Sequence, residues 1–186
     1  MITFRLVLLM ALAAFTASAQ HTSSQQATFQ PGSVPASCRV TPRPATAFIP
    51  PSDYHFGNLS PDAFLIGTEK LWTSLSEPMV WKWRPHQPGH EQDLTAKLFW
   101  FRVGYSWRTE PIPKIKVTGR RLDGPASALM LPQGPATHAI MDNSGKGAIL
   151  TGVYVPTPGC WEITGDYEGD KVSFVAWVEP FKQTSQ

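Results

Sequence analysis

Residues 156–178 read PTPGCWEITGDYEGDKVSFVAWV, and this stretch decides the fold class. Two alternating apolar and polar runs, WEIT at 161–164 and KVSFVAWV at 171–178, flank a turn with the composition GDYEGD. Alternation with a period of two is typical of strands that have one buried face. The stretch therefore predicts a β-hairpin with a loop of several residues. Its core residues should include Trp161, Ile163 and Phe174.

Shorter alternating segments precede the hairpin. We predict strands at 70–75, 79–84, 97–107, 114–122 and 148–155. The segment 60–67, SPDAFLIG, instead suggests a single helical turn capped by Ser60, and 123–137 is predicted to be a loop. Many short strands separated by turns predict an all-β fold, namely a single antiparallel immunoglobulin-like β-sandwich.

The strand predicted at 97–107, KLFWFRVGYSW, has apolar residues on both faces. We predict that Phe99, Phe101 and Val103 point into the core. Trp100 and Arg102 then point outward and, with Arg108, could form a platform for a sugar or an anionic polymer. The alternative is that a loop or the N-terminal arm covers Trp100.

Charge along the chain is uneven. Between Lys97 and Arg121 there are seven Lys or Arg residues and one acidic residue, Glu110. The C-terminal hairpin is acidic and balances this segment, so the formal net charge is only +2. So small a net charge argues against nucleic acid as a partner.

The N-terminal residues have the pattern of a secretory signal peptide. Arg5 precedes an apolar run that ends at Ala17-Ser18-Ala19, a small-x-small cleavage pattern. We expect a signal peptide at 1–19, cleavage near Ala19, and a periplasmic or secreted protein with no membrane span after cleavage. The predicted mature chain has three parts: a Pro-rich extended arm at 20–52, the β-sandwich domain at 53–180 and a short polar tail at 181–186.

The chain has two cysteines, Cys38 in the arm and Cys160 in the hairpin. An exported chain with two cysteines allows one intramolecular disulfide. Because Trp161 and Ile163 are predicted to point inward, Cys160 should point outward, and the bond should fasten the arm over the outside of the sandwich. A reactive thiol is disfavoured, since no Cys-x-x-Cys pattern is present.

Motifs of catalysis are absent from the sequence, which lacks G-x-S-x-G, G-x-x-x-x-G-K and H-E-x-x-H. We predict no catalytic residue, no cofactor and no metal. Two weaker alternatives remain: a loop metal site at His86 and His90, although Pro88 and Gly89 exclude a helix there, and weak calcium binding by the hairpin carboxylates. Those carboxylates are Glu162, Asp166, Glu168 and Asp170.

Several segments carry a resemblance to a family: LWTSL, FWFRVGYSWRTEP, KVTGRRLDGPA, PTPGCWEITG and VSFVAWV. Over most of 56–178 the chain resembles an uncharacterised family of secreted bacterial β-sandwich proteins, and GCWEITG is the most specific of these segments. The resemblance implies a secreted, disulfide-compatible β domain. It implies no catalytic residue and no ligand.

Function is therefore expected from three classes. The first is a secreted non-catalytic β-sandwich that binds or scaffolds an envelope polymer or another envelope protein. The second is a carbohydrate- or anionic-polymer-binding module, which an exposed row of aromatic side chains would favour. The third is an enzyme or inhibitor with an unrecognised site, which a deep pocket with titratable groups would favour.

Overall fold

The computed structural model describes residues 34–51, 60–84, 94–129, 131, 136–140 and 146–180. Over these residues the chain is all-β, as predicted. Nine strands are described: β1 (Ala63–Gly67), β2 (Leu71–Ser76), β3 (Val80–Lys82), β4 (Ala96–Arg102), β5 (Lys116–Arg121), β6 (Thr137–Ile140), β7 (Gly147–Val153), β8 (Gly159–Tyr167) and β9 (Asp170–Glu179).

The strands form two sheets that pack face to face. Sheet A has the order β1-β2-β4-β7-β6, and sheet B has the order β3-β9-β8-β5. The described pairs are antiparallel except β3 with β9, which is parallel. The order β2-β4-β7-β6 reproduces the A-B-E-D sheet of an immunoglobulin domain, and β9-β8-β5 reproduces its G-F-C sheet. The predicted immunoglobulin-like sandwich is confirmed, with β1 as an additional edge strand.

The β8–β9 hairpin is longer and tighter than predicted. Its register pairs Trp161 with Ala176 and Tyr167 with Asp170, so the connection is only Glu168-Gly169. Both turn residues have positive φ, 53° and 99°, as a two-residue hairpin turn of the primed type requires. The backbone N–H of Gly169 also donates to Asp166 Oδ1 at 2.9 Å, which fixes the turn.

The core between the sheets contains the hairpin residues predicted for it. Trp161, Ile163 and Phe174 are buried there. The prediction for β4 was wrong, because Leu98 and Trp100 face this core rather than Phe99. Apolar residues on both faces of β4 gave no local sign of which face meets the second sheet.

Trp100 is fully buried between the sheets. A Cβ added at Gly165 of β8 would lie 2.4 Å from the indole ring, so the ring rests directly on the Gly165 backbone. The ring centroid is 6.1 Å from that of Phe174 in β9, and the indole Nε1 donates to Thr151 Oγ1 at 2.9 Å. Trp100 therefore joins sheet A to sheet B.

The other face of β4 lies on the outside of sheet A. Phe101 is buried there in a separate apolar cluster with Leu65, Trp72 and Ala148. Trp72 and Phe101 stack with centroids 6.0 Å apart. Phe99 and Val103, which were predicted to be core residues, are 36% and 42% exposed.

Other boundaries also differ from the predictions. The predicted helical turn at 60–67 is β1, an edge strand whose Phe64 and Ile66 pack into the core. The strands predicted at 70–75 and 79–84 correspond to β2 and β3, but they lie in different sheets. Ile115 and Val117 of the strand predicted at 114–122 are buried in the core, and β6 begins at the end of the predicted loop.

The described part of the arm, 34–51, wraps around one edge of the sandwich. Thr41 pairs with β9 next to the residues that β3 covers: its N–H donates to Val175 O at 2.9 Å, and its Oγ1 accepts from Val175 N at 2.8 Å. Further along, Arg43 donates to the carbonyls of Pro61 and Ala63 beside β1. The arm therefore contacts both sheets. The predicted signal peptide at 1–19 and polar tail at 181–186 lie outside the described residues.

Candidate binding surface

The predicted platform of Trp100, Arg102 and Arg108 is not formed. Trp100 is 0% exposed and belongs to the core, so it offers no ring to a ligand. Arg102 and Arg108 instead lie at one end of the sandwich, where β4 runs into the loop 103–115. The difference arises because the two faces of β4 are the opposite of those predicted. Trp100 therefore points into the core instead of outward.

Three connections meet at this end of the sandwich. The 103–115 loop follows β4, and the backbone N–H of its Val103 donates to Lys70 O in the β1–β2 turn at 3.0 Å. Lys70 Nζ in turn lies 3.7 Å from Asp170 Oδ1, next to the Glu168-Gly169 turn. The 103–115 loop and the Glu168-Gly169 turn correspond to the B–C and F–G loops, which cluster at one end of immunoglobulin domains. We call this region the loop end.

Two cations converge on one carboxylate at the loop end. Arg102 Nη2 lies 3.2 Å from Glu168 Oε2, and Lys114 Nζ lies 3.0 Å from Glu168 Oε1. The guanidinium of Arg102 stacks 4.3 Å from the ring centroid of Tyr167, which holds it in position. We call Arg102 and Lys114 the cation pair.

Electrostatics at this site favour the charged forms of Glu168 and Lys114. The hydrogen bond and charge of Lys114, with a smaller contribution from Arg102, hold the pKa of Glu168 below its usual value. The same contact with Glu168 raises the pKa of Lys114. Both groups are therefore ionised at neutral pH, and the cation pair is suited to holding an anion.

Glu110 orders the loop behind the cation pair. Its Oε1 accepts a 2.9 Å hydrogen bond from the backbone N–H of Lys114 and a short one from the Tyr167 hydroxyl. Burial, and then the hydrogen bond to Glu110, raise the pKa of Tyr167. Burial and the nearby Glu110 charge raise the pKa of Tyr105 to about 12. Both phenols stay protonated near neutral pH, and Tyr167 donates its proton to the hydrogen bond with Glu110.

A second aromatic group lies on the same loop. Trp107 stacks on His138 of β6 with centroids 5.4 Å apart, and the Arg108 guanidinium lies 4.8 Å from the Trp107 centroid. The described residues provide no hydrogen-bond partner for three buried atoms: Tyr105 Oη, Trp107 Nε1 and His138 Nδ1. The loop end thus combines fixed cations with unsatisfied polar atoms. Sequence reasoning found Arg102 and Arg108 but missed Lys114, Tyr167 and His138.

Each hairpin carboxylate lies beside a cationic side chain, and this arrangement disfavours the weak calcium binding considered from the sequence. The pairs are Glu162–Arg120, Asp166–Lys171, Glu168 with the cation pair, and Asp170–Lys70. Glu162 and Glu168 thus contact cations of the basic segment 97–121, whereas Asp166 and Asp170 contact Lys171 and Lys70. Within the described ranges, no group of three or more His, Cys, Asp or Glu could hold a metal ion. The His86 and His90 alternative lies outside the described residues.

Cys38 and Cys160 form the predicted disulfide, with Cα atoms 5.5 Å apart and a sequence separation of 122. Cys160 faces away from the core and is buried with Trp177 in a separate cluster on the outside of sheet B, where Val34 and Val40 of the arm cover it. The outward parity of Cys160 and the fastening of the arm are therefore confirmed. Among the described residues, no helix has the length and apolarity that a membrane span requires.

Comparisons with protein-family models, with curated proteins and with solved structures find no match to this chain.

Proposed function

We propose that this chain is an extracytoplasmic, non-catalytic immunoglobulin-like domain that binds or scaffolds another component of the cell envelope. The observation that carries the proposal is a disulfide-fastened sandwich whose loop end presents charged side chains on an ordered support. Loops at the end of a rigid sandwich are where such domains place their binding residues.

The ionisation of the loop end supports binding rather than catalysis. General acid–base catalysis near neutral pH needs a group whose pKa is close to the working pH. Here the pKa of Tyr105 is about 12, that of Tyr167 is raised, and that of Glu168 is lowered. These groups hold fixed protonation states, which suits a permanent pattern of charge for recognition.

Export is supported by the disulfide, because such bonds persist in oxidising compartments. The signal-peptide pattern of residues 1–19 and the resemblance to secreted bacterial β-sandwich proteins point to the same compartment. Mass spectrometry of the exported protein should find an N-terminus at or within a residue or two of Gln20. A mature protein that retains Met1 would contradict export by this route.

Binding at the loop end can be tested by removing its cations. We expect wild-type protein to retain envelope material from its own cell in a salt-sensitive way, because exposed charges are screened within about 10 Å at 0.1 M salt. The triple variant Arg102→Ala, Arg108→Ala, Lys114→Ala should lose this retention. The charge-matched control changes Arg39, Lys97 and Arg120 to Ala and should keep it. Equal loss in both variants would place the binding surface elsewhere.

A narrower second candidate is binding of an anionic polymer. Two cations on different segments, Arg102 and Lys114, converge on a single carboxylate, and this arrangement suits repeated negative charges. Stacking of a sugar on Trp100 is no longer part of this candidate, because that ring is in the core.

A further inference from the structure

We propose that the cation pair is a binding site for an acidic polypeptide and that Glu168 occupies it as an internal competitor. This inference rests on the proposed binding function of the loop end. It adds the chemical class of the partner and a reason why the free protein hides the site.

Glu168 contacts the cation pair as a bound carboxylate would. Its two carboxylate oxygens are divided between Arg102 and Lys114, at 3.2 and 3.0 Å, as an external carboxylate would be. The residue projects from a two-residue turn with φ of 53°, a left-handed conformation that is unfavourable for a non-Gly residue. The two-residue turn imposes this conformation, which Asn or Gly would adopt more readily, so the turn directs Glu168 toward the cation pair.

The contact between Lys114 and Glu168 is exposed to solvent. The side chains of Lys114 and Glu168 are 65% and 48% exposed, so a partner can reach the contact without unfolding the loop. Exposed ion pairs of this kind are weak, typically about 0–1 kcal/mol. A chain with several carboxylates can displace such a contact, although the tethered carboxylate competes at an effective concentration on the order of millimolar.

Residues other than Glu168 support Arg102 and the backbone of Lys114. The guanidinium of Arg102 is stacked on Tyr167, and the backbone of Lys114 is bound to Glu110. Removing Glu168 should therefore leave the Arg102 guanidinium in place, with the Lys114 ammonium group within reach of the vacated position. Because the internal occupant is a glutamate side chain on a protein turn, an acidic polypeptide is the partner that matches it most closely.

The test measures binding of fluorescent poly-L-glutamate by anisotropy at low salt, with polygalacturonate as the polysaccharide arm. We expect Glu168→Gln to bind poly-L-glutamate about three- to fivefold more tightly than wild type, the gain from removing a competing contact of ordinary surface strength. Glu162→Gln raises the net charge equally and breaks the Arg120 pair instead, so it should bind like wild type. Lys114→Gln should weaken binding severalfold, whereas Lys97→Gln, also exposed and on the strand β4, should not.

Three outcomes would overturn the inference. Equal gains in Glu168→Gln and Glu162→Gln would show that net charge alone controls binding. Tighter binding of polygalacturonate than of poly-L-glutamate would assign the site to a polysaccharide. No binding by wild type or Glu168→Gln would remove the acidic partner altogether, whereas the broader proposed function fails only if envelope retention is also independent of the loop-end cations.

Discussion

The outer faces of the two sheets differ in the kind of side chain that covers them. The outside of sheet A carries an apolar cluster around Trp72 and Phe101, against which Phe48 of the arm packs. The outside of sheet B is a set of polar cross-strand pairs, such as Arg120–Glu162 and Thr164–Ser173, with the disulfide cluster at one end. The arm thus holds sheet A by apolar contact and sheet B by a covalent bond.

The difference shows how a short chain can fasten a sandwich from outside. Apolar packing needs a matching surface, and the side chains on the outside of β4 provide one on sheet A. Sheet B offers polar side chains, which contribute little to stability as exposed pairs. There the attachment depends on the Cys38–Cys160 bond, on the small apolar cluster that Val34 and Val40 of the arm join, and on the two hydrogen bonds between Thr41 and Val175.

The largest expected effect is the loss of the covalent attachment. The double variant Cys38→Ser, Cys160→Ser should lower the free energy of unfolding by up to about 4–5 kcal/mol, because the bond closes a loop of 122 residues. Urea denaturation of the double variant and of oxidised wild type measures the loss. Wild type in reductant should be destabilised by the same amount. A loss below about 1 kcal/mol would mean that the contacts of the arm with sheet A suffice by themselves.

The two faces of β4 give the next effect. Trp100→Ala should cost about 3–5 kcal/mol, the usual range for a buried Trp or Phe, because it opens a cavity between the sheets and leaves the Thr151 hydroxyl without its partner. Phe99→Ala, one residue away on the outer face, should cost about 0.5 kcal/mol or less. Denaturation curves that give the reverse order would contradict the orientation of β4.

The apolar attachment of the arm to sheet A should have a smaller effect. Phe48→Ala should cost about 1–2 kcal/mol, since a half-buried ring loses part of its transfer free energy and its contact with Trp72. Ile49→Ala is the matched control, because Ile49 is 84% exposed and should contribute almost nothing. If Phe48→Ala is as neutral as Ile49→Ala in denaturation experiments, the apolar contact of the arm with sheet A contributes nothing to stability.

The smallest expected effect is a pH dependence at the loop end. The folded pKa of Glu168 lies below its ordinary value of 4.5, chiefly because of Lys114. Its contribution to stability is therefore fully present above that value and is lost as the pH falls through the lower folded pKa. Wild type and Glu168→Gln, followed by urea denaturation from pH 6 to pH 3, should converge toward the acidic end. Parallel curves would show that the ion pairs of Glu168 contribute nothing to the stability of the fold.

The sequence predicted part of the candidate site. Arg102 and Arg108 were found because basic residues concentrate in one segment, and the acidic hairpin was found in the same way. Their pairing was not, because Arg102 and Glu168 are separated by 66 residues and meet only when β4 and β8 lie in opposite sheets. Lys114 could have been found from its place in the same basic segment, where it is the first basic residue after Glu110-Pro-Ile-Pro.

The sequence by itself determined the all-β class, the β8–β9 hairpin and the outward direction of Cys160. Those features depend on side-chain alternation, turn composition and cysteine count, which act over a few neighbouring residues. The tertiary structure alone decided that Trp100 faces inward, that β1 is a strand, and that Glu168 meets the cation pair. A strand with two apolar faces has no locally defined inside, so only the second sheet, with Gly165 leaving space for the indole, could choose one.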